Sequence, residues 1–149
     1  MTFHVRQATI HDLDTLVPLF DSYRRFYGQS ADPAKARTFL AERFAHRESL
    51  ILLAHDEHGA GLGFTQLYPL FSSVRAVRTY LLNDLFVASS SRRQGVAKAL
   101  LIAATEHVKA LGAGSMSLST ALDNKAAQAL YESLGWQRDL QFYEYGLML

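Results

Sequence analysis

The stretch from Leu81 to Leu101 constrains most strongly what this chain can fold into. It reads LLNDLFVASSSRRQGVAKALL: an apolar run, a polar segment with two arginines and a glycine, and then apolar residues at helical spacing. This order predicts a buried strand, a turn and a helix whose first N–H groups have no backbone acceptor. Because these N–H groups and the helix dipole favour negative charge, we expect the turn to bind an anion, most simply a phosphate.

The remaining hydrophobic pattern predicts an α/β fold with the element order β-α-α-β-β-β-α-β-α-β-β. Thr9 and Asp32 are placed to begin helices, and glycines at 112 and 135 to end them. Two final strands are predicted over Trp136–Asp139 and Gln141–Leu149. No repeat, low-complexity run or linker interrupts the 149 residues, so we expect a single domain over 1–149.

The composition excludes several classes of function. A net charge of +1 argues against a nucleic-acid binder and against a polybasic membrane surface. The chain has no cysteine, which removes disulfides, thiolate metal sites and cysteine nucleophiles and is compatible with a cytoplasmic protein. His55 and His58 have no further convergent ligand nearby in the sequence, so we expect a surface turn and no metal.

The turn itself, Arg92-Arg93-Gln94-Gly95-Val96-Ala97, has a glycine where a backbone must approach a ligand closely. It lacks the glycines of the nucleotide-binding P-loop and of the dinucleotide fingerprint. On these six residues alone, an anion site and a solvated turn with two arginines are equally good interpretations.

Three motifs in order resemble the GNAT superfamily of N-acetyltransferases over nearly the whole chain. Residues 5–9 (VRQAT), followed by Asp12 or Asp14, look like its first strand and turn. Residues 83–87 (NDLFV), with R-x-x-G-x-A over 92–97 and two leucines at 100–101, match its acetyl-CoA motif. Residues 124–136 match its N-x-x-A-x-x-x-Y-x-x-x-G-F/W motif.

The resemblance implies a GNAT-like fold, a predominantly antiparallel mixed sheet of about seven strands, splayed between strands four and five and flanked by about four helices. It implies acetyl-CoA as co-substrate and no metal. The pyrophosphate would lie on the turn, and the pantetheine arm would pair with the fourth strand. The residues expected at the cofactor are Leu85, Phe86, Val87, Arg92, Arg93, Gln94, Gly95, Val96, Ala97, Lys98, Asn124, Ala127 and Tyr131.

The implied chemistry gives Tyr131 the role of proton donor to the departing thiolate, although its helical stripe also suits an ordinary core aromatic. An amide N–H near Phe86 or Val87 is the expected oxyanion donor. Asn83 stands where some polyamine-acetylating relatives carry a glutamate base, and an amide cannot take a proton. Asp84 is adjacent, but strand alternation is expected to send it to the opposite face, which favours a structural role. Water as the base, or an amine that arrives already neutral and needs no base, remains an open alternative.

The acceptor is expected to be a primary amine of a small molecule or peptide that attacks directly in a ternary complex. Tyr23, Arg24 and Tyr27, together with Asn83, are the predicted acceptor contacts, with solvated arginines and a packed aromatic as the alternative. The rival functions are an acyltransferase that uses a different acyl-CoA, a non-catalytic CoA-binding or sensory module, and a binder of another phosphate ligand.

The apolar stretch Phe142–Leu149 would be an exposed edge if unpaired, so a homodimer is expected.

Overall fold

A single five-stranded sheet organises the fold in the computed structural model, which describes residues 2–149. Neighbouring strands follow chain order and pair antiparallel, except that the last two pair in parallel. The prediction of a mixed, predominantly antiparallel sheet is therefore confirmed. The strands are β1 (Phe3–Gln7), β2 (Leu50–Asp56), β3 (Gly61–Ser72), β4 (Val77–Val87) and β5 (Ser115–Ser117).

The described part of the chain contains four α-helices, in agreement with the predicted number. Thr9 and Asp12 form a reciprocal capping box at a short 3₁₀ turn that leads into the first helix. Asp32 caps the second helix by accepting a hydrogen bond from the N–H of Lys35 at 3.1 Å. The helices are α1 (Leu13–Phe26), α2 (Pro33–His46), α3 (Val96–Ala110) and α4 (Lys125–Ser133).

The core buries β2 on both of its faces. Ile51 and Leu53 pack in a cluster with Leu16 of α1, Leu40 of α2 and Phe64 of β3. Leu52 and Ala54 alternate to the opposite face and are also buried, and α3 contacts β2, β3 and β4. Burial on both faces explains why this strand is a continuous apolar run. One apolar face of α3 is therefore held against the sheet, which fixes where its first turn lies.

The chain divides into two compact units, residues 2–118 and Ser119–Leu149. The first contains the sheet and α1 to α3, and the second contains α4. The predicted organisation as a single domain stays a prediction. No helix among residues 2–149 is both long and apolar enough to cross a membrane.

The sheet has five strands rather than about seven. The prediction of two final strands is wrong, since no strand is present in the described chain after β5. Asp139 Oδ1 accepts hydrogen bonds from the N–H groups of Gln141 and Phe142 and so turns the chain there. The side chain of Tyr145 is 90% exposed. Alternation of apolar residues gives a segment two faces, but a strand also needs a neighbour to accept its backbone hydrogen bonds.

Candidate functional site

A bulge interrupts the pairing of β3 with β4. Gln66 pairs with Asp84 and Leu67 with Leu82, which leaves Asn83 as the extra residue of β4. A bulge re-aims the side chains beside it, and the Asn83 amide Nδ2 donates to Asp84 Oδ1 at 2.8 Å. The expectation that strand alternation separates these two side chains is therefore wrong, because the bulge breaks the alternation.

Asp84 lies at the centre of a buried polar network. Its side chain is almost fully enclosed, with the residue only 3% exposed. Besides Asn83, it accepts hydrogen bonds from Tyr23 Oη at 3.0 Å and from Gln66 Nε2. Its backbone carbonyl accepts from Thr65 Oγ1 at 2.8 Å. The network joins α1, β3 and β4 at one point.

Burial controls the ionisation of this network. It raises the pKa of Asp84 above its usual value, although the hydrogen bonds from Gln66, Asn83 and Tyr23 act in the opposite direction. Burial and the negative charge of Asp84 raise the pKa of Tyr23 well above its usual range. The same two causes raise the pKa of Tyr68 to about 12. The site thus holds a carboxyl group with an unusual affinity for a proton, beside phenols that stay neutral.

The partners of Asp84 on β3 were missed by the sequence analysis. Thr65 and Gln66 are fully buried, and Gln66 Oε1 has no hydrogen-bond partner in the described chain. Two adjacent polar residues inside the apolar run LGFTQLYPL were the available signal, since buried polar side chains need partners.

Aromatic rings from α1 and the residue after it form a wall beside the bulge. The Tyr23 ring meets Tyr27 edge-on at 5.2 Å and Phe86 at 6.0 Å between centroids. Phe26 and Tyr27 are more than 60% exposed. Arg24 Nη1 is buried and has no hydrogen-bond partner within residues 2–149. Of the predicted acceptor contacts, the structure therefore places Tyr23 directly against the Asn83 backbone and the Asp84 side chain.

The turn between β4 and α3 has the backbone of an anion site. Arg93 and Gly95 adopt left-handed conformations with φ of 62° and 82°. No acceptor within residues 2–149 takes a hydrogen bond from the N–H groups of residues 94 to 98, and α3 has no side-chain cap. A Cβ atom on Gly95 would meet nothing within 4 Å, so the space in front of the turn is open. These features fit a phosphate or pyrophosphate group.

Arg92 points back toward the sheet. Its Nε donates to the carbonyl oxygen of Val87 at 3.1 Å, and its guanidinium lies 5.6 Å from the Phe26 ring and 5.7 Å from the Phe86 ring. Arg92 therefore connects the end of β4 to the aromatic wall. Arg93 is exposed, as Arg92 is, but it makes no such contact with the sheet in the described chain.

One edge of β4 is open beyond Leu81. β5 pairs only with Thr79, Tyr80 and Leu81, so within residues 2–118 no strand pairs with the following residues of β4 on that side. This geometry agrees with the predicted splay between the fourth and fifth strands. It leaves Leu85, Phe86 and Val87 without a partner strand on that side within residues 2–118, and an unpaired strand edge is where an extended chain can add.

The second unit carries the third predicted motif. Asn124 caps α4, since its Oδ1 accepts a hydrogen bond from the N–H of Ala127 at 3.3 Å. Tyr131 is half-buried, and its ring lies 6.2 Å from that of Trp136. The cap and the aromatic pair account locally for the spacing of this motif. The contacts of Asn124, Ala127 and Tyr131 with a cofactor stay predictions.

The first unit of this α/β protein thus combines an unpaired stretch of the β4 edge, a turn with the backbone of an anion site and a buried carboxyl group. The sequence model of the acetyltransferase (GNAT) family matches residues 16–136. The chain therefore belongs to the GNAT family, and it is an acetyltransferase.

Individual relatives support this assignment. The chain is 44% identical over 144 residues to the uncharacterized N-acetyltransferase YhfO of Bacillus subtilis, covering 97% of this chain and 96% of YhfO. It is 35% identical over 97 residues to a probable acetyltransferase of Haemophilus influenzae, covering 65% of this chain and 66% of that protein. A crystal structure of a probable acetyltransferase superposes with a TM-score of 0.93 at 45% identity, covering 98% of this chain and 97% of that one.

Proposed function

We propose that this acetyltransferase moves the acetyl group of acetyl-CoA to a primary amine of a small molecule or peptide, by direct attack in a ternary complex. The observation that carries the proposal is the row of N–H groups from Gln94 to Lys98 at the start of α3, which have no acceptor within residues 2–149. They face open space at Gly95, and the turn that carries them follows β4, which has no partner strand on one side beyond Leu81 within residues 2–118. A pyrophosphate followed by an extended arm matches this order of features.

Acetyl-CoA supplies an acetyl group activated as a thioester. The turn residues would hold its pyrophosphate, with Arg93 adding positive charge at the rim. The backbone of Leu85, Phe86 and Val87 would pair with its pantetheine arm. An N–H of Phe86 or Val87 would donate to the carbonyl oxygen as negative charge develops there.

The acceptor amine would enter against the aromatic wall. Tyr23, Tyr27 and Asn83 would line its approach to the bulge, and the positive charge of Arg24 would suit a carboxylate on the acceptor. Tyr131 is proposed to protonate the departing sulfur. A free thiol has a pKa of about 8.5 and a phenol about 10, so the donation depends on the surroundings of the sulfur.

A second candidate function is a CoA-binding module without chemistry, which the amide at Asn83 favours because it cannot serve as a base. Asp84 weakens that candidate, since the bulge brings a proton-accepting carboxyl beside Asn83. A different acyl-CoA as donor is the remaining enzymatic alternative.

Calorimetry and an amine panel test the proposal. Acetyl-CoA should bind with saturable heat, and Gly95→Glu should abolish the heat by placing a negative side chain at the turn. Free-thiol release with acetyl-CoA should appear for at least one primary amine. No heat at millimolar acetyl-CoA would contradict the proposal, and heat without thiol release from any amine or acyl-CoA would identify the non-catalytic module.

A homodimer is a further part of the proposal. The segment 140–149 exposes most of its large apolar side chains almost completely, including Phe142 at 77%, Tyr143 at 92% and Leu147 at 85%. An exposed apolar surface of this kind is typical of a protein contact. Light scattering should give twice the chain mass, and a monomer mass would reject the dimer. A cytoplasmic location stays a prediction.

A further inference from the structure

We propose that Tyr23 and Asp84 form a proton relay that takes a proton from the acceptor amine, with Tyr23 as the group that touches the amine. The inference rests on the proposed acetyl transfer and supplies the proton acceptor that Asn83 cannot be. It is carried by the 3.0 Å hydrogen bond from Tyr23 Oη to Asp84 Oδ1.

Access separates the roles of the two residues. Asp84 is 3% exposed, and its Oδ1 already accepts from both Tyr23 and Asn83, so an amine cannot reach this oxygen directly. Tyr23 is half-buried and stands in the aromatic wall beside Tyr27 and Phe86. Because its hydroxyl hydrogen points to Asp84, the lone pairs of its oxygen remain to accept a hydrogen bond from an amine N–H.

The electrostatics suit a relay rather than a phenolate base. Burial and the charge of Asp84 hold the pKa of Tyr23 above its usual range, so Tyr23 does not lose a proton without gaining one. Burial raises the pKa of Asp84, which favours its protonated form once the proton arrives. The other titratable groups that act on this pair are Tyr27 and Tyr68, and the charge of Arg43 acts on Tyr68.

In each acetyl transfer, the relay would carry one proton from the acceptor to Asp84. The acceptor arrives as an ammonium ion, and one N–H proton passes to Tyr23 Oη while the Tyr23 hydroxyl proton passes to Asp84 Oδ1. The freed electron pair of nitrogen forms the C–N bond at the acetyl carbonyl carbon, and the C–S bond breaks with its electron pair going to sulfur. The nitrogen loses a second proton, which makes up for the proton that the sulfur gains. The products are then an amide and free CoA. Asp84 then returns its proton through Tyr23 to solvent.

The pH dependence of kcat/KM tests the relay, with the acceptor found in the amine panel. Tyr23→Phe should lower kcat/KM at pH 7 by about 10²–10⁴-fold, the usual size of a general-base contribution. It should leave the affinity for acetyl-CoA unchanged, and its rate should follow the concentration of amine that is already neutral in solution. Tyr68→Phe is the matched control, since it removes a neighbouring phenol that has no hydrogen bond to Asp84, and it should keep the wild-type profile.

A second measurement needs no acceptor. Carbon-13 NMR titration of the Asp84 carboxyl should show a higher pKa in Tyr23→Phe than in the wild type, because the variant loses a donor that stabilises the ionised form. Tyr68→Phe should not show this rise. An unchanged carboxyl titration in Tyr23→Phe would overturn the relay.

The outcomes separate this inference from the proposed function. Thiol release by the wild type, with the same pH profile in Tyr23→Phe, would overturn the relay alone. Absence of thiol release from every amine would overturn the acetyl transfer and the relay together.

Discussion

A Cβ atom on Gly63 would lie 2.6 Å from the carbonyl oxygen of Phe86. Gly63 pairs with Val87 across β3 and β4, so the absent side chain lets the two backbones approach at the end of β4. This is the part of β4 proposed to pair with pantetheine. The position of the cofactor strand therefore depends on a glycine of the neighbouring strand.

Gly63→Ala should consequently affect both stability and cofactor use. The added methyl must displace backbone atoms, which we expect to cost about 1–3 kcal/mol of unfolding free energy. The shift of Phe86 and Val87 should raise the KM for acetyl-CoA by about tenfold or more. Urea unfolding and steady-state kinetics measure the two effects. Gly146→Ala, where a Cβ meets nothing within 4 Å, should change neither, and an unchanged KM in Gly63→Ala would contradict the argument.

Two glycines at opposite ends of α3 allow strain to be separated from ligand binding. Gly95 and Gly112 have φ of 82° and 83°, and a Cβ at either position would enter open space. Alanine at either position should therefore cost a similar 1–2 kcal/mol or so of stability. Gly95→Ala should also weaken acetyl-CoA binding measured by calorimetry, because its methyl enters the anion turn. Equal affinities for the two variants would show that the ligand does not approach Gly95.

The two arginines of the turn should differ in the salt dependence of cofactor affinity. Arg92 is held by Val87 O and the Phe26 and Phe86 rings, so Arg92→Lys should weaken binding by loosening the end of β4. The loss of acetyl-CoA affinity in Arg92→Lys should be nearly independent of salt concentration. Arg93→Gln removes an exposed charge. The loss of acetyl-CoA affinity in this variant should shrink as added salt screens the charge of Arg93 in the wild type. Acetyl-CoA titrations at low and high ionic strength measure both, and identical salt slopes would contradict the distinction.

Much of the secondary structure follows from local patterns in the sequence. Thr9 and Asp32 cap where capping chemistry predicts, and the glycine after β4 has the positive φ that an anion turn needs. These features depend on residues within a few positions of one another. Periodicity and cap residues are sufficient to predict such local structure.

The centre of the site was not predictable in the same way. The bulge at Asn83 depends on the register between β3 and β4, and strand periodicity carries no information on where one extra residue is inserted. The bond from Tyr23 to Asp84 joins residues 61 positions apart. The apolar segment after Asp139 shows the opposite failure. Its local pattern predicted a strand, but no strand of the sheet in residues 2–118 pairs with it.

Replacing Asp84 by asparagine should stabilise the fold while it removes the relay. Burial raises the pKa of Asp84 in the folded state, whereas in the unfolded chain an aspartate has a pKa of about 3.9. The folded state therefore binds the proton more tightly, and the unfolding free energy of the wild type falls as pH rises from about 3.9 through the folded-state pKa. Asparagine has no charge to bury, and its amide can donate to Gln66 Oε1 if the Gln66 amide turns over.

We therefore expect Asp84→Asn to unfold with a higher free energy than the wild type at pH 7, and the advantage to shrink as pH falls toward 4. A pKa difference of one between the folded and unfolded states corresponds to about 1.4 kcal/mol, which sets the scale of the effect. Urea unfolding at pH 4, 5.5 and 7 measures it. Asp84→Ala is the control, because it leaves the Tyr23 hydroxyl and the Asn83 amide without their acceptor and should destabilise the fold at every pH. A lower stability of Asp84→Asn at pH 7 would mean that Asp84 is retained for the fold and not for proton transfer.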